Sequence, residues 1–183
     1  MNDTNFLRLA RRVSEAEEAA ERYLLKSGGT VTGDLTINGI ARLPSQPYVY
    51  VRNAATVSVT AGHNKLTCFT NKLADNQNCW NTSTHRFTAP VKGRYMFIVG
   101  GRWDTASVSE NPQYGYTPHK NGMQTQVICG GILGKGDTPT AAGSIVLELE
   151  VGDYVEMYFY APVNMVATYT NYLGLFMQIV FLG

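Results

Sequence analysis

Apolar positions change period once along this chain. From residue 4 to residue 25, Phe6, Leu9, Val13, Ala16, Ala20 and Tyr23 are spaced 3, 4, 3, 4, 3. That spacing is a heptad seam and predicts a helix able to enter a coiled coil. Between these positions stand Arg8, Arg11, Arg12, Glu15, Glu17, Glu18, Glu21 and Arg22, a solvated face of mixed sign. At the usual rise such a helix is about 33 Å long. So short a coil is marginal alone and needs a fused oligomer to hold it. A lone amphipathic helix lying on a domain fits the same pattern. After residue 26 the helical period disappears. Short apolar-alternating runs separated by turn residues predict strands at 48–51, 55–59, 66–69, around Trp80, and at 85–87, 93–99, 113–120, 125–129, 144–149, 154–160 and 172–181. Many short strands at this spacing imply a mainly β sandwich or barrel.

The last run is apolar on both sides. Leu173, Leu175, Met177, Ile179 and Phe181 form one face; Tyr172, Gly174, Phe176, Gln178 and Val180 form the other. A strand of that kind is covered on both faces, and Gly174 allows a backbone or ring to come close. The run at 154–160 repeats the pattern, with Val155, Met157 and Phe159 opposite Tyr154, Glu156, Tyr158 and Tyr160.

The order Phe87-Thr88-Ala89-Pro90-Val91-Lys92-Gly93-Arg94-Tyr95-Met96-Phe97 is an apolar anchor, a turn and a buried strand. It resembles the start of the globular head of the C1q and tumour-necrosis-factor superfamily. Further blocks fall in family order: Asn121-Gly122 at a hairpin, Ser144–Leu147 through Gly152–Val155, and Tyr172–Phe176 near the end. Phe69, Asn76, Trp80 and Phe87 take family-like positions before the Pro-Val-x-Gly turn. The resemblance covers roughly residues 66–182; the stretches 104–113 and 130–142 fit it less well. It implies a trimeric C1q/TNF-like jelly roll that binds and does not catalyse. It further implies that the strands at 154–160 and 172–181 neighbour each other in an inner sheet facing the threefold axis. Tyr158, Tyr160, Tyr172, Gly174 and Phe176 are then the expected trimer interface.

The stretch Gly28-Gly29-Thr30-Val31-Thr32-Gly33-Asp34-Leu35-Thr36-Ile37-Asn38-Gly39 resembles an element of bacteriophage tail-fibre proteins, with Val31 where Met is commoner. The expected organisation is therefore a helix over 1–25 that anchors or trimerises, a β neck over 26–45, and a jelly-roll head over 46–183.

Composition narrows the function. Of the 183 residues only 16% are charged, with 11 Tyr and 18 Gly, as suits a β-rich, interface-rich chain. A net charge of +1 implies no nucleic-acid partner. No apolar run is long enough to imply membrane insertion. Residues 1–12 lack a signal-peptide apolar core, so export by the usual route is not expected. Cys68, Cys79 and Cys129 show no metal spacing and are expected to be reduced thiols.

Catalytic and metal chemistry are not expected. There is no Gly-x-Ser-x-Gly. Gly130–Gly136 lacks the spacing of a phosphate loop, with Gly136 where the magnesium-ligating hydroxyl belongs. His63, His85 and His119 have no second ligand at a fixed offset. Glu148 and Glu150 alternate with Leu147 and Leu149 and read as a solvated face, not a glycosidase pair. No cofactor is implied. Arg102, Trp103, Asp104, Asn111, Tyr114 and Tyr116 combine ring faces with polar groups and form the expected receptor contact, for a glycan or a protein; strand-edge packing is the other reading of the same residues. The function expected is a bacteriophage virion protein assembled in the host cytoplasm. It would be a short fibre or spike held to other virion proteins by its helix, with a homotrimeric head that adheres to the host. A capsid decoration protein is the alternative. A polysaccharide depolymerase would need a carboxylate cleft.

Overall fold

A computed structural model describes residues 7–15, 34, 36, 38–39, 45–105, 113–132, 138–168 and 174–183. The chain divides into two compact units, Met1–Arg42 and Leu43–Gly183. In the first, a helix spans 7–15, with Leu7, Leu9 and Val13 exposed. Arg11 and Glu15 pair across one turn at 2.9 Å. Phe6, Ala16, Ala20 and Tyr23 lie outside the described residues, as does most of the 28–39 stretch. Asp34, Thr36, Asn38 and Gly39 are exposed.

The second unit is a β-sandwich. Its strands are β1 (Tyr48–Arg52), β2 (Val57–Val59), β3 (Gly62–Lys65), β4 (Asn71–Asp75), β5 (Trp80–Asn81), β6 (Arg86–Thr88), β7 (Gly93–Arg102), β8 (Asp104–Thr105), β9 (Gln113–Lys120), β10 (Met123–Gln124), β11 (Cys129–Ile132), β12 (Thr140–Leu149), β13 (Tyr154–Ala161), β14 (Met165–Ala167) and β15 (Phe176–Phe181). One sheet runs β12-β7-β15-β1-β4. The facing sheet runs β10-β9-β13-β6-β5, with β11 added on β9 and β3 on β13. A small sheet, β2-β14-β8, stands apart from both ladders. Neighbouring strands are antiparallel throughout, as hairpin and Greek-key connections require.

The core follows from strand parity. Val49 and Val51, Tyr95, Phe97 and Val99, and Met177 and Ile179 point inward from the five-stranded sheet. They meet Phe87, Val155, Met157 and Phe159 of the facing sheet. The Phe87 ring packs edge-on to Phe97 at 5.6 Å and to Tyr95 at 5.2 Å. Such aromatic pairs add about 0.5–1.5 kcal/mol each beyond area burial.

The turn chemistry read from the sequence is present. Asn121 (φ 52°) and Gly122 (φ 81°) are both left-handed, the requirement of the tight turn that joins β9 to β10. Gly93 opens β7 at φ +154°, and a Cβ there would lie 2.5 Å from Cε2 of Phe181. Gly93→Ala is therefore expected to destabilise the head by more than about 1 kcal/mol, read as a lower thermal midpoint than that of the parent.

Two runs differ from expectation. Residues 66–69 are not a strand. Leu66 and Phe69 are buried wedges on an irregular crossing, tied by Leu66 N–H to Met157 O (2.8 Å) and by Trp80 Nε1–H to Phe69 O (2.9 Å). The ladder is made instead by the polar stretches on either side, β3 and β4. Likewise 125–128 is irregular and the strand begins at Cys129. Backbone pairing outweighs side-chain propensity at these edges. The short strand β14 was not expected; Met165 and Ala167 are its buried anchors.

The β9–β10 and β12–β13 turns are stitched together by Asp153. It accepts from Lys120 Nζ (2.8 Å), Asn121 Nδ2 (2.7 Å) and the Glu150 N–H (2.9 Å). The hydrogen bond from Lys120, then that from Asn121, lowers its carboxyl from 3.8 to about 2. A depressed carboxyl stabilises the fold above its unfolded value, and that contribution is lost as pH falls. Stability should thus decline between pH 3.8 and about 2, and Asp153→Asn should remove that part of the acid dependence, measured by urea unfolding at stepped pH.

Candidate functional site

Of the expected receptor contacts, two are core residues. Trp103 follows β7 and is fully buried, with its indole stacked on Phe159 at 4.3 Å. Its Nε1–H donates to the hydroxyl of Tyr116 at 2.9 Å, and Tyr116 is also fully buried. Burial pushes the Tyr116 phenol above its ordinary range. The two polar tips satisfy each other, which is what allows both rings to leave water. Arg102 and Asp104 pair at 2.7 Å, and Asp104 also accepts from Thr168. Their polar groups hold the end of β7 to the segment after β14. Asn111 lies outside the described residues. Among the described members of the set, Tyr114 alone lines an open groove.

The expected axis residues also separate. Tyr158 and Tyr160 stand on β13 and Phe176 on β15, and these strands belong to opposite sheets. They do not neighbour each other, because matching periodicity fixes which residues share a face and leaves open which sheet a strand joins. Gly174 is buried, and what approaches it is Asn53 of the same chain: a Cβ would meet Asn53 Oδ1 at 2.6 Å. Tyr172 lies outside the described residues.

The sandwich thus has two different outer faces. On the five-stranded sheet, register places Tyr48, Val180, Met96 and Val146 in one row. Tyr50, Gln178, Ile98 and Ser144 form the next, and Arg52, Phe176, Gly100 and Ala142 the third. Within these three rows Arg52 is the one charged side chain; the row beyond Met96 and Val146 sets Arg94 opposite Glu148. Gly100 lets Phe176 lie flat, since a Cβ there would be 3.0 Å from the ring.

The outer face of the seven-stranded sheet is polar and aromatic. Glu156 is buried between Lys65 Nζ (2.5 Å) and Arg86 Nε (2.8 Å). Burial alone would raise its carboxyl; the hydrogen bonds from Lys65 and Arg86 outweigh that and hold it low. The Arg86 guanidinium lies 4.0 Å over the Tyr154 ring. His119 stacks on Tyr158 at 3.8 Å, and burial lowers its imidazole. Beside this cluster opens a groove of about 520 Å³. β9 supplies Gln113, Tyr114, Gly115 and Thr117; β11 supplies Gly130, Gly131 and Ile132; Tyr160 of β13, His63 of β3, Gln124 of β10 and Val127 complete it. Gly115 and Gly130 face each other in register. A Cβ on Gly115 would meet Cys129 O at 2.6 Å, and one on Gly130 would meet Tyr114 O at 2.5 Å. Gly130 and Gly131, which open the stretch that lacks phosphate-loop spacing, belong to β11. The signal that could have found the groove is Gly115 inside a strand run, a mark of close backbone approach.

Glu148 and Glu150 are exposed, and Glu150 pairs with Lys92 at 2.8 Å. Burial pushes the Cys68 thiol up to about 12, and burial followed by Asp75 pushes Cys79 to about 11. Among the described residues no group of three His, Cys, Asp or Glu is placed to hold a metal.

Two packed antiparallel sheets, bearing an apolar outer face on one and a polar groove on the other, define a jelly-roll sandwich of the binding-domain type. The C1q-domain family model matches residues 50–177, and the chain belongs to that family. Among solved structures it is similar to the globular domain of zebrafish complement 1qA, at 17% identity and TM-score 0.53 over 75% of this chain and 98% of that one. It is likewise similar to murine APRIL (10%, TM-score 0.57, 75% and 99%) and to the Eiger TNF of S. frugiperda (10%, TM-score 0.54, 75% and 93%). Among curated proteins none matches the chain. C1q/TNF-like domains are generally non-enzymatic binding domains, and trimers are typical of the family.

Proposed function

We propose that this chain is a bacteriophage virion protein, a short fibre or spike whose homotrimeric head adheres to the host surface without catalysis. The observation that carries the reading is the tail-fibre-type stretch at 28–39 leading directly into a C1q-family head. Three features support it. The first two rows of the five-stranded sheet, from Tyr48 to Val146 and from Tyr50 to Ser144, carry no charge and suit burial between copies. The helix over 7–15 keeps Leu9 and Val13 of its seam exposed, available to a second helix or to another virion protein. Identical heads on one particle raise weak single-site binding through effective concentration.

The exposed seam also favours a second reading, in which the helix clamps capsid subunits and the head decorates the shell. Immunogold labelling of purified virions separates the two. Label at the tail or fibre tip, together with block of adsorption by purified head, is the expected result. Label over the capsid with normal adsorption of particles lacking the chain would replace it with the decoration reading. Oligosaccharide released from host surface polymer by the purified chain would establish catalysis and overturn the reading.

A further inference from the structure

The groove on the seven-stranded sheet matches one class of ligand by its lining. We propose that it is a binding site for a neutral pyranose, the terminal sugar of a surface glycan; this deepens the adhesive reading and rests on it.

One wall is aromatic. Tyr160 is 38% exposed and is braced by the His63 ring at 5.0 Å. Val127 and Ile132 are exposed on the groove as well. An exposed ring beside small apolar groups suits the C–H face of a sugar, which is apolar and flat. The opposite requirement, hydrogen bonding to hydroxyls, is met by the exposed amides of Gln113 and Gln124. Amides both donate and accept, as a sugar hydroxyl does. The paired glycines let the backbones of β9 and β11 pack close together along the groove.

Charge decides between ligand classes. Among the described residues no Asp, Glu, Lys or Arg lines the groove. The nearby charges Lys65, Arg86 and Glu156 are committed to one another. A phosphate, a sialic or uronic acid, or an acidic peptide needs a permanent cation, which the described lining lacks. A basic ligand needs a carboxylate. A wholly apolar ligand would leave the amides it covers unsatisfied. The volume of about 520 Å³ falls within the range of small-molecule sites, about 300–1,000 Å³.

The test is saturation-transfer NMR on the full chain with glucose, galactose and N-acetylglucosamine, and N-acetylneuraminic acid as the charged probe. At least one neutral sugar is expected to bind through its ring protons and the charged sugar not to bind. Tyr160→Ala and Gln124→Ala should each weaken binding by about tenfold or more, while Lys72→Ala on β4 leaves it unchanged. Light scattering should show the same mass for all three variants. Neutral-sugar binding that survives both groove variants, or binding of the charged sugar alone, overturns the proposal. A changed oligomeric mass in Tyr160→Ala also overturns it, by making the groove a protein interface. Adhesion to host cells without binding of any neutral sugar would overturn the sugar site and leave the adhesive reading standing. Sugar binding without adhesion would do the reverse.

Discussion

Trp103→Ala is expected to cost the head about 3–5 kcal/mol, the range for removing a large buried aromatic. The indole is fully buried and stacked on Phe159, so its loss leaves a cavity between the sheets. It also strands the Tyr116 hydroxyl, whose hydrogen-bond donor is the indole N–H. Tyr116→Phe isolates that second term: it leaves the indole N–H buried without its acceptor, at about 1–3 kcal/mol. Because the two residues share one hydrogen bond, the double variant Trp103→Phe with Tyr116→Phe should cost less than the single changes Trp103→Phe and Tyr116→Phe summed. The measurement is urea unfolding followed by circular dichroism. A Trp103→Ala head as stable as the parent would place that ring at the surface after all.

The same pair shows where sequence reasoning fails. Trp, Tyr, Arg and Asp in one short region are the composition of a contact surface, and equally of a core whose polar tips are satisfied. Only the register of β7 and β9 across the two sheets distinguishes the cases. The fold was far more legible. The Pro90–Gly93 turn, the Asn121-Gly122 hairpin and the parity of β15 are local signals, each set by backbone sterics or by side-chain alternation. Sheet membership is not local. β13 and β15 carry the same doubly apolar pattern for different reasons: β13 is covered outside by His63, His119 and the Glu156 cluster, whereas the outer face of β15 lies in an uncharged patch. The groove was hidden because it depends on β9 and β11 meeting at Gly115 and Gly130, and that pairing is not set by either run alone.

That difference in cover leads to the largest expected effect on assembly. Ile98→Glu should convert the proposed homotrimer to a monomer. Ile98 sits in the middle row of the five-stranded sheet, between Gln178 and Ser144, and that row carries no charged residue. In a single subunit it is half-buried and points away from the core, so the head can fold with Glu there. Against another copy, the carboxylate would be desolvated among Met96, Val180 and Phe176 of the same face. An unpaired buried charge costs several kcal/mol per site, incurred once in each subunit. Phe176→Ala should weaken assembly in the same direction by removing apolar area from the third row. Tyr158→Ala should not, because its ring stacks on His119 on the opposite side of the sandwich. Light scattering reads the outcome directly, as a fall from about three times the 20.1 kDa subunit mass to a single subunit. A trimer that tolerates Ile98→Glu but dissociates with Tyr158→Ala would move the threefold contact to the seven-stranded sheet, and with it would close the groove now assigned to the glycan.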